Sequence, residues 1–331
     1  MKKKQELGQF YTTNSDYILK GLLDVFPPEE IVIDPFGGKG DLLKYFKKFE
    51  SYDIDPKRDD IQKRDTLINP LDYRVRWICT NPPYFAKNKN KNKTIYEKYE
   101  TSDLYKASMK SLIDCEGGVL IVPFNLFCDR ETNFRRFFFS KFEVIQLNVF
   151  ENSTFEDTDL SVCSFSFRRK ENIKQKIKVV FFPKEEVEYM EISYEHGYRL
   201  YTDFYSEIET TNGCYFKRLV EGKRGNTNIF LRAIDTGTLD GKIKLEYNEK
   251  QYYGSATDRA FATIVSKIKL SEDQQNLLIE RFNEELNLFR EKYRSIFLTN
   301  YRNCTADYSR KRISFKLTYN LLQYVYEKYL V

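Results

Sequence analysis

Short apolar runs alternate with amphipathic stretches through the first half of the chain. Strands are expected near 31–34, 50–54, 62–65, 76–80, 118–123, 143–150 and 160–168, several of them apolar runs bounded by Gly, Pro, Asn or Asp. Helical spacing falls between them at about 16–25, 40–48, 103–115 and 129–140. Strands alternating with helices predict an α/β fold, a doubly wound parallel sheet with helices on both faces. The last two of these seven strands, joined by a short acidic loop, predict a hairpin closing one edge. Asp34, Asp53, Asp65 and Asn81 all fall at strand ends, which puts them on the rim where such sheets bind ligands.

From about residue 170 the pattern changes. Lys174 to Pro183 is strand-like, 184–210 is acidic and tyrosine-rich, and 271–300 has helical spacing behind an N-cap serine, Ser271. Two domains are therefore expected, 1–170 and 171–331. At 331 residues the chain is long enough for both. The net charge of +5 divides as +2 and +3 between these halves, so charge alone does not point to nucleic acid. Cysteines at 79, 115, 128, 163, 214 and 304 have neither paired nor metal-ligand spacing and read as reduced thiols, with no metal site. His196, the single histidine, lies apart from every motif and reads as structural. No apolar run reaches membrane length and no signal peptide is evident, so a cytoplasmic, non-membrane protein is expected.

Asn81-Pro82-Pro83-Tyr84 follows the apolar run Trp77-Ile78-Cys79-Thr80. Two prolines remove two N–H donors and fix φ, so the chain leaves the strand as a stiff loop. Such a loop can converge the Asn81 amide oxygen and the Pro82 carbonyl on one point. Two convergent acceptors suit an amino group on a flat ring, and Tyr84 offers a face for stacking. Upstream, an apolar strand runs into Asp34-Pro35-Phe36-Gly37-Gly38-Lys39-Gly40. Gly38 and Gly40 permit close backbone approach to a nucleotide-type ligand. The spacing is neither that of dinucleotide enzymes nor a phosphate-binding loop with lysine and Ser or Thr. Lys39 is a bulky cation at a crowded turn, which is compatible with a ligand if its side chain faces solvent. Asp53, after the second strand, is placed to accept ribose hydroxyls, while Asp55 is expected to cap the following turn. Asp65, with Thr66 and Leu67, is placed to meet an adenine amine.

In this order the motifs resemble the amino-methyltransferase group of S-adenosylmethionine-dependent DNA methyltransferases, over residues 7 to 168. Leu7-Gly8-Gln9-Phe10-Tyr11-Thr12-Thr13 resembles the segment that precedes the glycine loop in the gamma order of motifs. The resemblance implies a seven-stranded Rossmann-like methyltransferase sheet and a C-terminal DNA-recognition domain. It implies S-adenosylmethionine bound by Phe10, Tyr11, Thr12, Asp34, Pro35, Phe36, Gly38, Gly40, Asp53, Asp65 and Leu67. Asn81, Pro82, Pro83 and Tyr84 are the expected catalytic residues, and Tyr105 (in Ser102-Asp103-Leu104-Tyr105) and Phe155 would line the target-base pocket. Phe155 reads equally as an anchor for its own loop.

The expected reaction is methylation of the N6 amine of an adenine flipped out of double-stranded DNA. Candidate phosphate and groove contacts are Lys87 and Lys89, in a Lys/Asn-biased loop read as solvated until substrate binds, together with Lys217, Arg218, Lys223, Arg224, Asn226, Arg232, Arg310, Lys311 and Arg312. By analogy the protein would act as a monomer, in a restriction-modification or orphan system, with any cognate endonuclease acting separately. The same residues also suit an RNA adenine methyltransferase, a protein-glutamine methyltransferase or, less well, a cytosine-N4 enzyme. An inactive DNA-binding protein would keep the fold without binding S-adenosylmethionine.

Overall fold

The computed structural model describes residues 12, 14–129, 131–151, 161–170, 175–209, 213–221, 223–236, 241–253, 258–303 and 309–331. They fall into two compact units, one within 1–199 and the other within 200–331 apart from 306–308. The division lies at 199/200 and not at the expected 170/171, because two further strands belong to the first unit.

That unit is built on one sheet of nine strands: β1 (Val32–Asp34), β2 (Phe49–Asp53), β3 (Gln62–Lys63), β4 (Trp77–Thr80), β5 (Gly117–Pro123), β6 (Phe142–Phe150), β7 (Val162–Arg169), β8 (Gln175–Phe182) and β9 (Glu186–Ile192). Their order is β3-β2-β1-β4-β5-β7-β6-β8-β9. All seven expected strands are present. The pairs β2–β3, β1–β2, β1–β4 and β4–β5 are parallel, and β7 runs antiparallel between β5 and β6. The β6–β7 hairpin therefore lies inside the sheet. The edge beyond it is made by β8, parallel to β6, and β9, antiparallel to β8. Every residue of β5 is buried, as expected of a strand covered on both faces.

Helices in this unit are short: α1 (Ser15–Ile18), α2 (Thr94–Lys98), α3 (Leu104–Ser111), α4 (Asn125–Cys128) and α5 (Asn133–Phe139). The helix expected at 40–48 is absent, and a single 3-10 turn, Leu43–Tyr45, takes its place. Only a few residues separate that turn from β2 at Phe49, so the chain reverses without completing an α-helix. The end of α1 is fastened to the sheet by buried polar side chains. Ser164 Oγ donates to the Ile18 carbonyl at 2.5 Å, and Asn148 Nδ2 donates to the Lys20 carbonyl at 3.0 Å.

The second unit packs helices on one face of a four-stranded antiparallel sheet ordered β10 (Phe216–Arg218), β13 (Phe261–Ser266), β11 (Ile229–Arg232), β12 (Lys244–Tyr247). Its helices are α6 (Thr202–Glu207), α7 (Glu272–Lys292) and α8 (Phe315–Tyr329), and β14 (Thr299–Asn303) pairs with β15 (Ser309–Arg312). Ser271 begins α7 with a capping box completed by Gln274, as the sequence predicts. Leu278, Phe282, Leu286 and Phe289 of α7 meet Ile229, Leu231 and Leu245 of the sheet in one core. Among the described residues no helix is long and apolar enough to cross a membrane.

Asp235 ties this unit together. Its buried carboxylate takes a two-pronged ion pair from Arg290 of α7, at 2.9 Å on each oxygen. It also accepts the backbone N–H groups of Ile243 at 2.9 Å and Lys311 at 3.1 Å. Arg290→Leu would leave that carboxylate buried without its cation, and is expected to cost roughly 3–5 kcal/mol of folding stability. Urea denaturation followed by circular dichroism measures this. A loss of under about 1 kcal/mol, as for an exposed pair, would show the pair to be dispensable.

Candidate active site

At the carboxyl end of β1 the chain turns through residues 35–40. Asp34 is buried, and its Oδ1 accepts the Phe36 N–H at 3.1 Å and the Thr80 hydroxyl at 2.6 Å. Gly38 and Gly40 take φ of +54° and +77°, a region costly for other residues. A Cβ at Gly37 would come within 2.1 Å of Ser51 Oγ. Gly38 N–H donates to Asp53 Oδ2 at 2.9 Å, and Asp55 N–H donates to Asp53 Oδ1 at 2.7 Å. Asp53 thus braces the glycine loop and closes the turn after β2, while the Asp55 carboxylate pairs with Lys57 at 2.8 Å. Lys39, between the glycines, is exposed and borders the cavity beside this loop.

A cavity opens beside this loop, with about 1080 Å³ of empty space counting its mouth. Thr12, Asp34, Asp53, Asp65 and Asn81 supply polar lining. Pro35, Phe36, Gly38 and Leu67 line it too, as expected, whereas Gly40 lies behind the Arg58 guanidinium. Asp65 follows β3, where its Oδ1 accepts the N–H groups of Leu67 and Ile68, both at 3.0 Å. Phe10 and Tyr11 lie outside the described residues.

The Lys/Asn-biased segment forms one wall of this cavity, while Asn88, Lys89, Lys91 and Lys93 stay exposed. It forms a 3-10 turn at Lys87–Lys89 and then α2, and Asn90, Asn92, Ile95 and Tyr96 face the cavity. Buried Tyr96 packs with Leu67 and Leu104. Lys98 Nζ donates to the carbonyls of Leu67 and Ile68 at 2.8 and 2.9 Å. The segment returns to α3 through backbone bonds from Leu104 N to Phe85 O at 3.1 Å and from Lys87 N to Ser102 O at 2.8 Å. Lys89 is exposed, and Lys87 is half-buried with Glu97 3.9 Å away.

Asn81 follows β4 directly and lines the cavity together with Pro83. Its Nδ2 donates to Thr12 Oγ1 at 3.0 Å, and its Oδ1 accepts from the Tyr84 hydroxyl. That hydroxyl also lies 2.7 Å from the Ile121 carbonyl of β5. Tyr84 is buried, with its ring edge-on to Tyr105 at 6.4 Å. Neither ring lines the cavity, so the stacking face expected of Tyr84 is turned inward. Phe155 lies outside the described residues.

Two carboxyl groups titrate far from their usual range. Burial pushes Asp34 up to about 7 against the bonds from Thr80 and Phe36, with the negative charges of Asp53 and Asp41 adding to the rise. Burial pushes Asp103, the N-cap of α3, up to about 6. Burial also raises the thiols of Cys79, Cys115 and Cys163, leaving them unreactive.

The basic residues expected to contact DNA divide in two. Lys217, Lys223 and Arg224 are exposed. The others engage the fold: Arg218 donates to the Asp258 carbonyl at 3.3 Å, Arg232 pairs with Glu246 at 3.3 Å, and Arg310 Nε donates to the Asp235 carbonyl at 2.7 Å. Lys311 Nζ donates to Asn300 Oδ1, and Arg312 sits half-buried on β15. Asn226 exchanges two hydrogen bonds with the Ser266 backbone, at 2.7 and 3.1 Å. His196 Nδ1 meets Ser193 Oγ at 3.1 Å, apart from the cavity. Sequence reasoning missed Thr80, whose position as the last residue of β4 was the available signal, and Tyr96 with its neighbours.

No family model matches the chain, and no curated protein matches it. Solved structures align with part of it. A modification subunit assigned to a type I restriction enzyme from Vibrio vulnificus is 14% identical over 60% of this chain and 52% of its own, with a TM-score of 0.42. A type I restriction-modification methyltransferase subunit from Streptococcus thermophilus is 12% identical over 54% and 48%, with a TM-score of 0.39. The chain spans about half the length of each. The likeness is partial, and what this protein does has to be read from its own residues.

A cationic ligand held against Asp34 binds the ionised carboxyl. Because that carboxyl titrates near 7 in the free protein, affinity should rise by about tenfold between about pH 6 and pH 8 and then level off. Calorimetric titration with S-adenosylmethionine across this range, repeated on Asp34→Asn, measures it. The variant should bind weakly with a flat profile, and a flat profile in the unaltered protein would show that Asp34 does not face the charge.

Proposed function

We propose that this protein transfers a methyl group from S-adenosylmethionine to the N6 amine of an adenine flipped out of double-stranded DNA. One observation carries the reading. The glycine loop after β1 and the Asn-Pro-Pro turn after β4 meet across a 2.6 Å hydrogen bond between Asp34 and Thr80, and both line one cavity. The residues fit the cofactor: positive φ at Gly38, which lines the cavity, and two buried acids, Asp34 and Asp53, for its cationic and hydroxyl groups.

S-adenosylmethionine supplies a methyl group made electrophilic by its sulfonium. Asn81 Oδ1 and the Pro82 carbonyl accept the two N–H bonds of the amine and draw its lone pair out of conjugation with the ring. A carbonyl oxygen can accept two hydrogen bonds, so the one from Tyr84 does not by itself bar one from the amine. Holding the nitrogen in line supplies most of the rate. Flipping the base costs a few kcal/mol, set against contacts made in the pocket and by the second unit. Exposed Lys217, Lys223 and Arg224 are the side chains best suited there to backbone phosphates.

The test is incubation with labelled S-adenosylmethionine and mixed-sequence duplex DNA, followed by nucleoside digestion and mass spectrometry. N6-methyladenine is the expected product. Asn81→Ala should lower turnover by roughly a hundredfold or more, the scale of losing one preorganised polar contact to the reacting group. Its cofactor affinity should stay within about twofold, since only the transition-state contact is lost. Label in RNA or protein but not in DNA, or an equal loss of cofactor affinity in the variant, would overturn the assignment.

A further inference from the structure

We infer that Lys98 is a positioning residue for the cofactor site, holding two walls of the cavity at one separation without lining it. The inference rests on the reading that the cavity takes S-adenosylmethionine. One wall is the turn 65–68 after β3, of which Asp65, Thr66 and Leu67 line the cavity. The other is α2, which presents Ile95 and Tyr96. Lys98 lies on the same helix, and its ammonium reaches across to the carbonyls of Leu67 at 2.8 Å and Ile68 at 2.9 Å. Beside it the Tyr99 hydroxyl donates to the Leu67 carbonyl at 2.9 Å.

The turn has little support from the sheet, since β3 is an edge strand of 2 residues. Its own side chains secure it toward the glycine loop. Asp65 takes the N–H groups of Leu67 and Ile68, and the Thr66 hydroxyl donates to the Pro35 carbonyl at 2.9 Å. The carbonyls of Leu67 and Ile68 go instead to α2, so these two peptide groups join one wall to the other. Helix α2 is tied to the base of its own segment by the Tyr96 hydroxyl, which donates to the Phe85 carbonyl at 2.9 Å. The crossing is left to Lys98, Tyr99 and the packing of Tyr96 with Leu67. Lys98 is exposed, and water competes for its ammonium. Without that ammonium the walls spend time apart, and apparent affinity falls with the fraction of molecules whose walls are correctly spaced.

The test is calorimetric titration with S-adenosylmethionine of Lys98→Met, which keeps the aliphatic stem and removes the donor, and of Lys98→Arg, which restores donors. Affinity should fall about fivefold in the methionine variant, the contribution of one net hydrogen bond. The arginine variant should recover most of it. S-adenosylmethionine is itself a cation, so losing a nearby positive charge would by itself strengthen binding. The expected change has the opposite sign. Lys91→Met, at an exposed lysine of the same segment, controls for charge and should not weaken binding. In Lys98→Met, KM for the cofactor should rise while turnover on duplex DNA at saturating cofactor matches that of the unaltered protein. A general loss of folding would instead lower turnover and the melting temperature. Unchanged affinity in Lys98→Met, a loss that arginine does not restore, or an equal loss in Lys91→Met would overturn the inference. An unaltered protein that binds no S-adenosylmethionine would overturn it together with the proposed function. One that binds the cofactor and methylates no DNA would overturn the proposed function alone, and the affinities would still decide the role of Lys98.

Discussion

The hydrogen bond from Thr80 to Asp34 sits where two parallel strands part company. The backbone register of β1 against β4 runs Val32 to Trp77 and Ile33 to Ile78, and stops there. Beyond it the side-chain bond at 2.6 Å joins the end of β1 to the end of β4, beside the cavity that Asp34 and Asn81 line. On one side Asp34 turns the chain into the glycine loop, which Asp53 braces from β2; on the other, Thr80 leads straight into Asn81. A buried carboxyl without a partner costs far more than one bond returns, so the pair is strongly held together. The glycine loop and the Asn-Pro-Pro turn are therefore set at one spacing by the sheet itself.

Much of this was legible in the sequence, for a definite reason. Asp34 and Asn81 follow apolar runs, Asp53 and Asp65 follow shorter strand-like stretches, and a strand end in a parallel sheet has only one rim to occupy. Asp34, Asp53, Asp65 and Asn81 were placed on that rim by pattern alone. What failed was whatever depended on partners distant in sequence. Leu42, Leu43, Tyr45 and Phe46 have helical spacing, yet the return to β2 at Phe49 leaves room for one turn only. The β8 strand was read into the second domain because nothing local in 174–183 reveals a parallel pairing with β6. The segment 86–100 was read from its lysines and asparagines. Its apolar residues Ile95, Tyr96 and Tyr99, packed about Leu67 and Leu104, decide where it goes.

The basic residues of the second unit show a different limit. A guanidinium in a loop-rich domain is as useful for satisfying stray carbonyls as for meeting phosphates, and composition does not separate the two uses. Arg218 and Arg310 each donate to a backbone carbonyl, and the Asn226 amide stitches one strand end to another. The residues left with solvated charge sit at Lys217, Lys223 and Arg224. A groove-reading surface built on them would be narrower than the sequence suggested.

The parallel pairing of β8 with β6, from Gln146 opposite Lys178 to Phe150 opposite Phe182, bears on how the protein can be cut. A fragment ending at 170 would keep every residue that lines the cavity, the glycine loop and the Asn-Pro-Pro turn among them. It would also strip one side of β6, leaving Leu147, Val149 and Phe150 on a bare strand edge with unpaired N–H and carbonyl groups. Such an edge recruits other chains and favours aggregation. Residues 175–192 thus act as a built-in shield, and a fragment meant to stay monodisperse should run to 199.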